Sequence, residues 1–173
     1  MSETSEEKTK RKYLAVLRGY RWSYQHSIFY DDPEQSHALL DHMVRFKQVL
    51  RRRCPDQPFL IRVQALKKGA VHQAFLSIIT TAKVEDLTEI ANKTFTAKMN
   101  VVGRRLSAER LSQQASVIEK AKPHDLSKLF AKSGINRWSV LNKSNLIPTD
   151  ADNQHSGDHI DGLNLRLSQN KGI

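Results

Sequence analysis

The sequence predicts an α+β domain, an antiparallel sheet with helices packed mainly on one face. Three observations lead there. Residues 59–80 alternate apolar and polar side chains on either side of a Lys67-Lys68-Gly69 turn, the pattern of a β-hairpin with one buried face. Tyr24 to Tyr30 is rich in aromatic and β-branched residues, a second strand signal. Apolar residues at helical spacing fill 34–53 and recur after the hairpin, so strands and helices share one core.

In chain order, residues 1–12 mix acidic and basic side chains without periodicity and are expected to be a disordered leader. Tyr13 to Val16 reads as a short strand, followed by the strand at 24–30. Asp31-Asp32-Pro33 starts a helix, since proline is tolerated where the first N–H has no partner. Leu39, Leu40, Met43, Phe46, Val49 and Leu50 then predict one amphipathic helix over 34–53. Arg51, Arg52 and Arg53 fall in its last turn, where cations oppose the negative end of the dipole, and Pro55 and Pro58 end it. After the hairpin, helices are expected near 83–101, 107–121 and 124–132, and Arg137 to Leu141 returns as a strand or short turn. The domain spans 13–148. Residues 149–173 turn to Asp, Asn, Gln, Ser, Gly and His, which predicts a polar, mostly flexible tail.

Composition narrows the functional classes. A chain of 173 residues with 39% hydrophobic content suffices for one core. No apolar run reaches the length of a membrane span, and Met1 to Lys12 holds no signal-peptide core. Cys54 is the one cysteine, which leaves no internal disulfide and no thiolate zinc site and points to a cytoplasmic or nucleoid-associated protein. The net charge is +10, and residues 13–148 carry 22 basic against 11 acidic side chains. A domain more basic than its ends suits a phosphate-bearing partner, although an acidic protein would be drawn to it as well.

The hairpin carries the chemical motif. In Gln64-Ala65-Leu66-Lys67-Lys68-Gly69-Ala70-Val71-His72-Gln73-Ala74, a polar strand residue precedes a basic turn and a histidine follows on the return strand. This resembles the hairpin of the HUH endonuclease superfamily, the rolling-circle replication initiators and relaxases of plasmids, phages and small DNA viruses. There a glutamate precedes a Lys/Arg-Gly turn, and two histidines one residue apart complete a divalent-metal site. Asp125-Leu126-Ser127-Lys128-Leu129-Phe130-Ala131-Lys132, followed by Arg137-Trp138-Ser139-Val140-Leu141-Asn142-Lys143-Ser144, is similar to the family's tyrosine helix and the segment after it. The resemblance covers about residues 13–147 and implies an RRM/ferredoxin-like, HUH-type sheet.

The same alignment implies lost catalysis. Gln64 stands at the metal-site glutamate, His72 at the first histidine, Ala74 at the second, and Asp125 at the nucleophilic tyrosine; no tyrosine follows Tyr30. One imidazole and a neutral amide make a poor cation site, and a carboxylate cannot form the phosphotyrosyl intermediate. No resident metal or other cofactor is therefore expected. The residues expected to contact nucleic acid are Lys67, Lys68, Arg51, Arg52, Arg53, Arg104, Arg105, Lys128, Lys132 and Arg137, with Trp138, Trp22 and Tyr24 as stacking surfaces. Trp22 and Trp138 also have the character of core anchors, and the Arg51 triplet that of an ordinary helix end.

The leading expectation is thus a non-catalytic, replication-initiator-like domain. Its ligand would be single-stranded or hairpin DNA of a mobile element, with DNA favoured over RNA and a replication protein as a further partner. Two alternatives stay open. One is a divergent nicking enzyme using His72 with Mg²⁺ or Mn²⁺. The other is a protein-interaction subunit whose basic surface meets an acidic partner.

Overall fold

The computed structural model describes residues 2–68, 71–122 and 138–149. Five strands form one antiparallel sheet: β1 (Tyr24–Tyr30), β2 (Phe59–Lys68), β3 (Val71–Thr80), β4 (Met99–Arg105) and β5 (Trp138–Leu141), in the order β4-β1-β3-β2-β5. The helices are α1 (Ser5–Gly19), α2 (Met43–Arg53), α3 (Leu87–Phe95) and α4 (Ala108–Lys120), with a 3-10 segment at Pro33–His42. From β1 to β4 the chain runs strand, helix, strand, strand, helix, strand. With spatial order 4-1-3-2, this is the ferredoxin-like arrangement within the α+β class.

Alternation along the strands decides what each face buries. Ile28 and Tyr30 on β1, Ile61 and Val63 on β2, and Leu76 and Ile78 on β3 point to one side. There they meet the 3-10 segment, α2 and α3 through Leu39, Phe46, Leu50, Ile90 and Phe95. The rings of Phe46 and Phe95 lie 5.2 Å apart at the centre of this larger core. A second, smaller core lies on the opposite face: Leu60 and Ile79 are covered by Tyr13, Leu14 and Leu17 of α1, by Ala115 and Ile118 of α4, and by Trp22 and Leu106. The main helical layer is on one face, as the pattern predicts, and α1 with α4 adds a partial layer on the other.

Several elements differ from the sequence reading. Residues 5–12 belong to α1, and Tyr13 to Val16 is helical in the same element, not a strand. The Thr4 hydroxyl accepts from the Glu7 N–H at 3.1 Å, Glu6 and Glu7 occupy the positive end of the dipole, and Arg18 the negative end. Tyr13, Leu14 and Leu17 supply a single helical stripe, which the mixed charges around them conceal. The predicted 34–53 helix is tighter at its start, turning from 3-10 to α at Met43. The predicted 83–101 helix ends at Phe95, followed by Thr96 at φ 49°, and residues 99–105 form β4. β4 lies at the sheet's edge, with residues 102–105 exposed, so it lacks the alternating apolar pattern of a buried strand. Gly103 fits there because a Cβ would come within 3.0 Å of the Tyr24 ring and 3.1 Å of His26 Nδ1. The expected helix at 124–132 lies outside the described residues. β1, the hairpin and α4 fall where the periodicity places them, and β5 forms within the return segment.

β5 is held by more than its ladder. Asn142, at φ 55°, donates from Nδ2 to the carbonyls of Cys54 at 2.9 Å and Gln57 at 2.8 Å, fixing the loop that follows α2. Past it, Ile147 and Thr149 bond the backbone of Arg21 and Gly19, tying this stretch to the end of α1. Among the described residues, no helix is long and apolar enough to cross a membrane.

Candidate nucleic-acid interface

Helices α1 and α4 cover only part of their face of the sheet. The register resolves that face into three rows. The covered row runs Val140, Leu60, Ile79, Gln25, Arg104. The next runs Trp138, Arg62, Ser77, Ser27, Val102, and the outermost Gln64, Phe75, Phe29, Asn100. The apolar residues of the first row belong beneath the helices; the second and third rows mix polar side chains with Trp138, Val102, Phe75 and Phe29.

A groove of about 410 Å³ occupies the boundary between this surface and α4. Its floor is Gln25, Ser27, Arg62, Gln64 and Phe75; Arg104 closes one side, and Arg110, Gln113, Gln114 and Val117 of α4 form the other. A second concavity of about 570 Å³ shares Arg104 and Arg110 and continues past Arg105 and Ser107 at the start of α4. Among the described residues, none that lines either concavity is acidic.

Local packing explains why these polar groups are positioned. Gln25 is 7% exposed and acts as a hub. Its Nε2 donates to Ser77 Oγ at 3.0 Å, and its Oε1 accepts from Gln114 Nε2 at 2.6 Å and Arg104 NH2 at 3.4 Å. One amide thus links β1, β3, β4 and α4. Arg62 is also buried, its guanidinium 5.5 Å from the centroid of the Tyr13 ring. Burial raises the Tyr13 pKa and the neighbouring Arg62 opposes that rise, so the phenol stays neutral beside the cation. Arg104, Arg105 and Arg110 are exposed, and among the described residues no carboxylate pairs with them. Ser107 caps α4 by accepting from the Arg110 N–H at 3.1 Å, so the positive end of that helix adjoins the arginines.

The residues singled out from the sequence separate into groups. Arg104 and Arg105 border the concavities. Arg51, Arg52 and Arg53 end α2 in the other layer and extend no track into the groove, and Arg53 pairs with Asp86. Trp138 packs on the smaller core, edge-on to Tyr13 at 5.6 Å, and Trp22 is buried with its Nε1 donating to the Val16 carbonyl. Both are anchors of α1. Tyr24 lies on the opposite face, tilted against His26 at 4.9 Å. Lys67 and Lys68 are placed only as backbone at the end of β2, and Asp125, Lys128, Lys132 and Arg137 lie outside the described residues.

The hairpin register divides the three positions that align with the family's metal site. Gln64 pairs with Phe75, while Ala74 pairs with Ala65 and position 72 with position 67. Cross-strand partners share a face, so Gln64 stands on the groove side, whereas positions 72 and 74 stand on the other pleat. Ala74 packs against the main core. The neighbours of Gln64 on its own face, Arg62, Phe75 and Ser77, supply neither a carboxylate nor an imidazole. Among the described residues, no three His, Cys, Asp or Glu side chains gather as a metal cluster. Gln25, Arg62, Arg110 and Gln114 were not singled out from the sequence; only the register and the placement of α4 bring them together.

Comparison with known proteins adds little to this picture. No family model matches the chain. No curated protein matches it either. Among solved structures, it is similar to the crystal structure of the hypothetical protein ORF119 from Sulfolobus islandicus rod-shaped virus 1. That likeness is 14% identical, covers 73% of this chain and 97% of the other, and has a TM-score of 0.37.

Proposed function

We propose that the protein is a non-catalytic nucleic-acid-binding module whose ligand is an unpaired DNA strand. The observation that carries this reading is the groove itself. Arg62, Arg104 and Arg110 converge on it, amides fill the space between them, and among the described residues no carboxylate lines it. A polyanion suits that set of donors and that positive charge. The amides and serines can bond bases or sugar oxygens without demanding one sequence. The likeness of the sequence to replication initiators makes DNA of a mobile element the class we assign. The separation of position 72 from Gln64 weighs against metal-dependent nicking at the hairpin.

The test is binding of a fluorescein-labelled single-stranded oligonucleotide followed by anisotropy, with Mg²⁺ or Mn²⁺ present and the strand examined afterwards. Saturable binding that weakens with salt, with the strand left intact, is expected. An inert mixture at low salt would sink the reading, and strand cleavage would restore the enzyme alternative.

A further inference from the structure

We propose that Phe29 and Phe75 form a platform on which two neighbouring bases of an unpaired strand stack, with the phosphates led along Arg104 and Arg110. The proposal rests on the nucleic-acid reading of the groove and adds its ligand-facing chemistry: the bases themselves must be accessible.

Three observations support the platform. The first is position. Phe29 and Phe75 are direct cross-strand partners on β1 and β3, in the interior of the sheet. The strand spacing of about 4.8 Å sets their side chains next to one another on one face. The second is packing. Their neighbours Ile28 and Leu76 are fully buried in the main core, but Phe29 and Phe75 are only half-buried and belong to neither core cluster. The third is company. Around them, the same face offers Gln64, Ser27 and Asn100, polar residues that are only partly buried. Phe75 lines the groove together with Arg62, Arg104 and Arg110, and Phe29 is its cross-strand partner, the kind of placement that sheet-surface binders of single strands use.

Charge selects the occupant. An apolar protein segment would bring no anion to Arg104 and Arg110, and a paired duplex keeps its base faces inside its own stack. An unpaired nucleic-acid strand supplies anionic groups and open base faces together.

The experiment compares a single-stranded 12-mer carrying 2-aminopurine with its blunt duplex, using wild type and the variants Phe29→Ala, Phe75→Ala, Phe75→Leu and Phe75→Trp. Wild type should bind the single strand more tightly than the duplex, with a change in 2-aminopurine emission on binding. Each alanine variant should bind about 5- to 150-fold more weakly. Phe75→Leu should behave like the alanine variant although it keeps apolar bulk, and Phe75→Trp should restore both binding and the emission change. Circular dichroism keeps unfolding apart from lost stacking. If wild type prefers the single strand salt-sensitively but the alanine variants bind it equally well, the platform is wrong and the groove reading stands; equal binding of the duplex overturns the platform and the unpaired-strand ligand together. If wild type binds no strand at all, both fail.

Discussion

Neutralising two groove arginines gives a quantitative measure of how the strand is held. Arg62 is left alone because it packs on Tyr13 inside the fold. Arg104 and Arg110 are exposed and border both concavities, so Arg104→Gln/Arg110→Gln removes charge with little effect on stability, within about 0.5 kcal/mol per site. For single strands, each phosphate neutralised by a cation contributes about 0.7 to the slope of log affinity against log salt. Losing two contacts should lower that slope by about 1.4. Over a fourfold rise from about 50 to about 200 mM salt, wild type should therefore lose about 7-fold more affinity than the double variant. Anisotropy titrations of one oligonucleotide at five salt concentrations read the two slopes directly. Equal slopes would refute the reasoning, because they would place the phosphates elsewhere on the protein.

Other outcomes follow from the packing. His26 is 2% exposed, its Nε2 accepts from the Val84 N–H at 3.2 Å, and burial with help from Lys83 lowers its pKa to about 4. The unfolded chain takes up that proton first as pH falls, so stability is full above about 6.5 and declines towards pH 4, by about 3 kcal/mol in total. Denaturant midpoints across that range measure the decline, and an imidazole resonance titrating near its ordinary value would contradict it. Gln25→Ala should cost about 1–3 kcal/mol, since it strands Ser77, Gln114 and Arg104 without their common partner, and it should loosen α4 in hydrogen exchange. Phe46→Ala, which empties the place of a fully buried ring against Phe95, should cost about 3–5 kcal/mol by chemical denaturation. Ser107→Ala should remove the α4 cap at a cost of about 1 kcal/mol, seen as a lower thermal midpoint.

The strands and helices were legible to different degrees. β1 and the β2–β3 hairpin stood out because they border the main core, and a face that must be apolar writes its period into the chain. α4 falls within the predicted 107–121 stretch, although its two buried residues, Ala115 and Ile118, face the smaller core. α1 was not legible, because its buried stripe is three residues in a charged background, and its partners Leu60 and Ile79 lie far along the chain. β4 was not, because an edge strand needs only one neighbour and half its residues face water.

The candidate site divides along the same line. From the amino-acid sequence alone come the α+β class, the hairpin and the excess of basic residues. Arg104 and Arg105 could be named from charge. What tertiary structure alone decided is which residues share a surface. A shift of one position in the hairpin pairing moves Gln64 to the other side of the sheet from Ala74 and sets it beside Phe75. The physical reason is the twofold period of a strand: a local sequence shows which residues alternate, but only the pairing partner shows where each alternate row lies across the sheet.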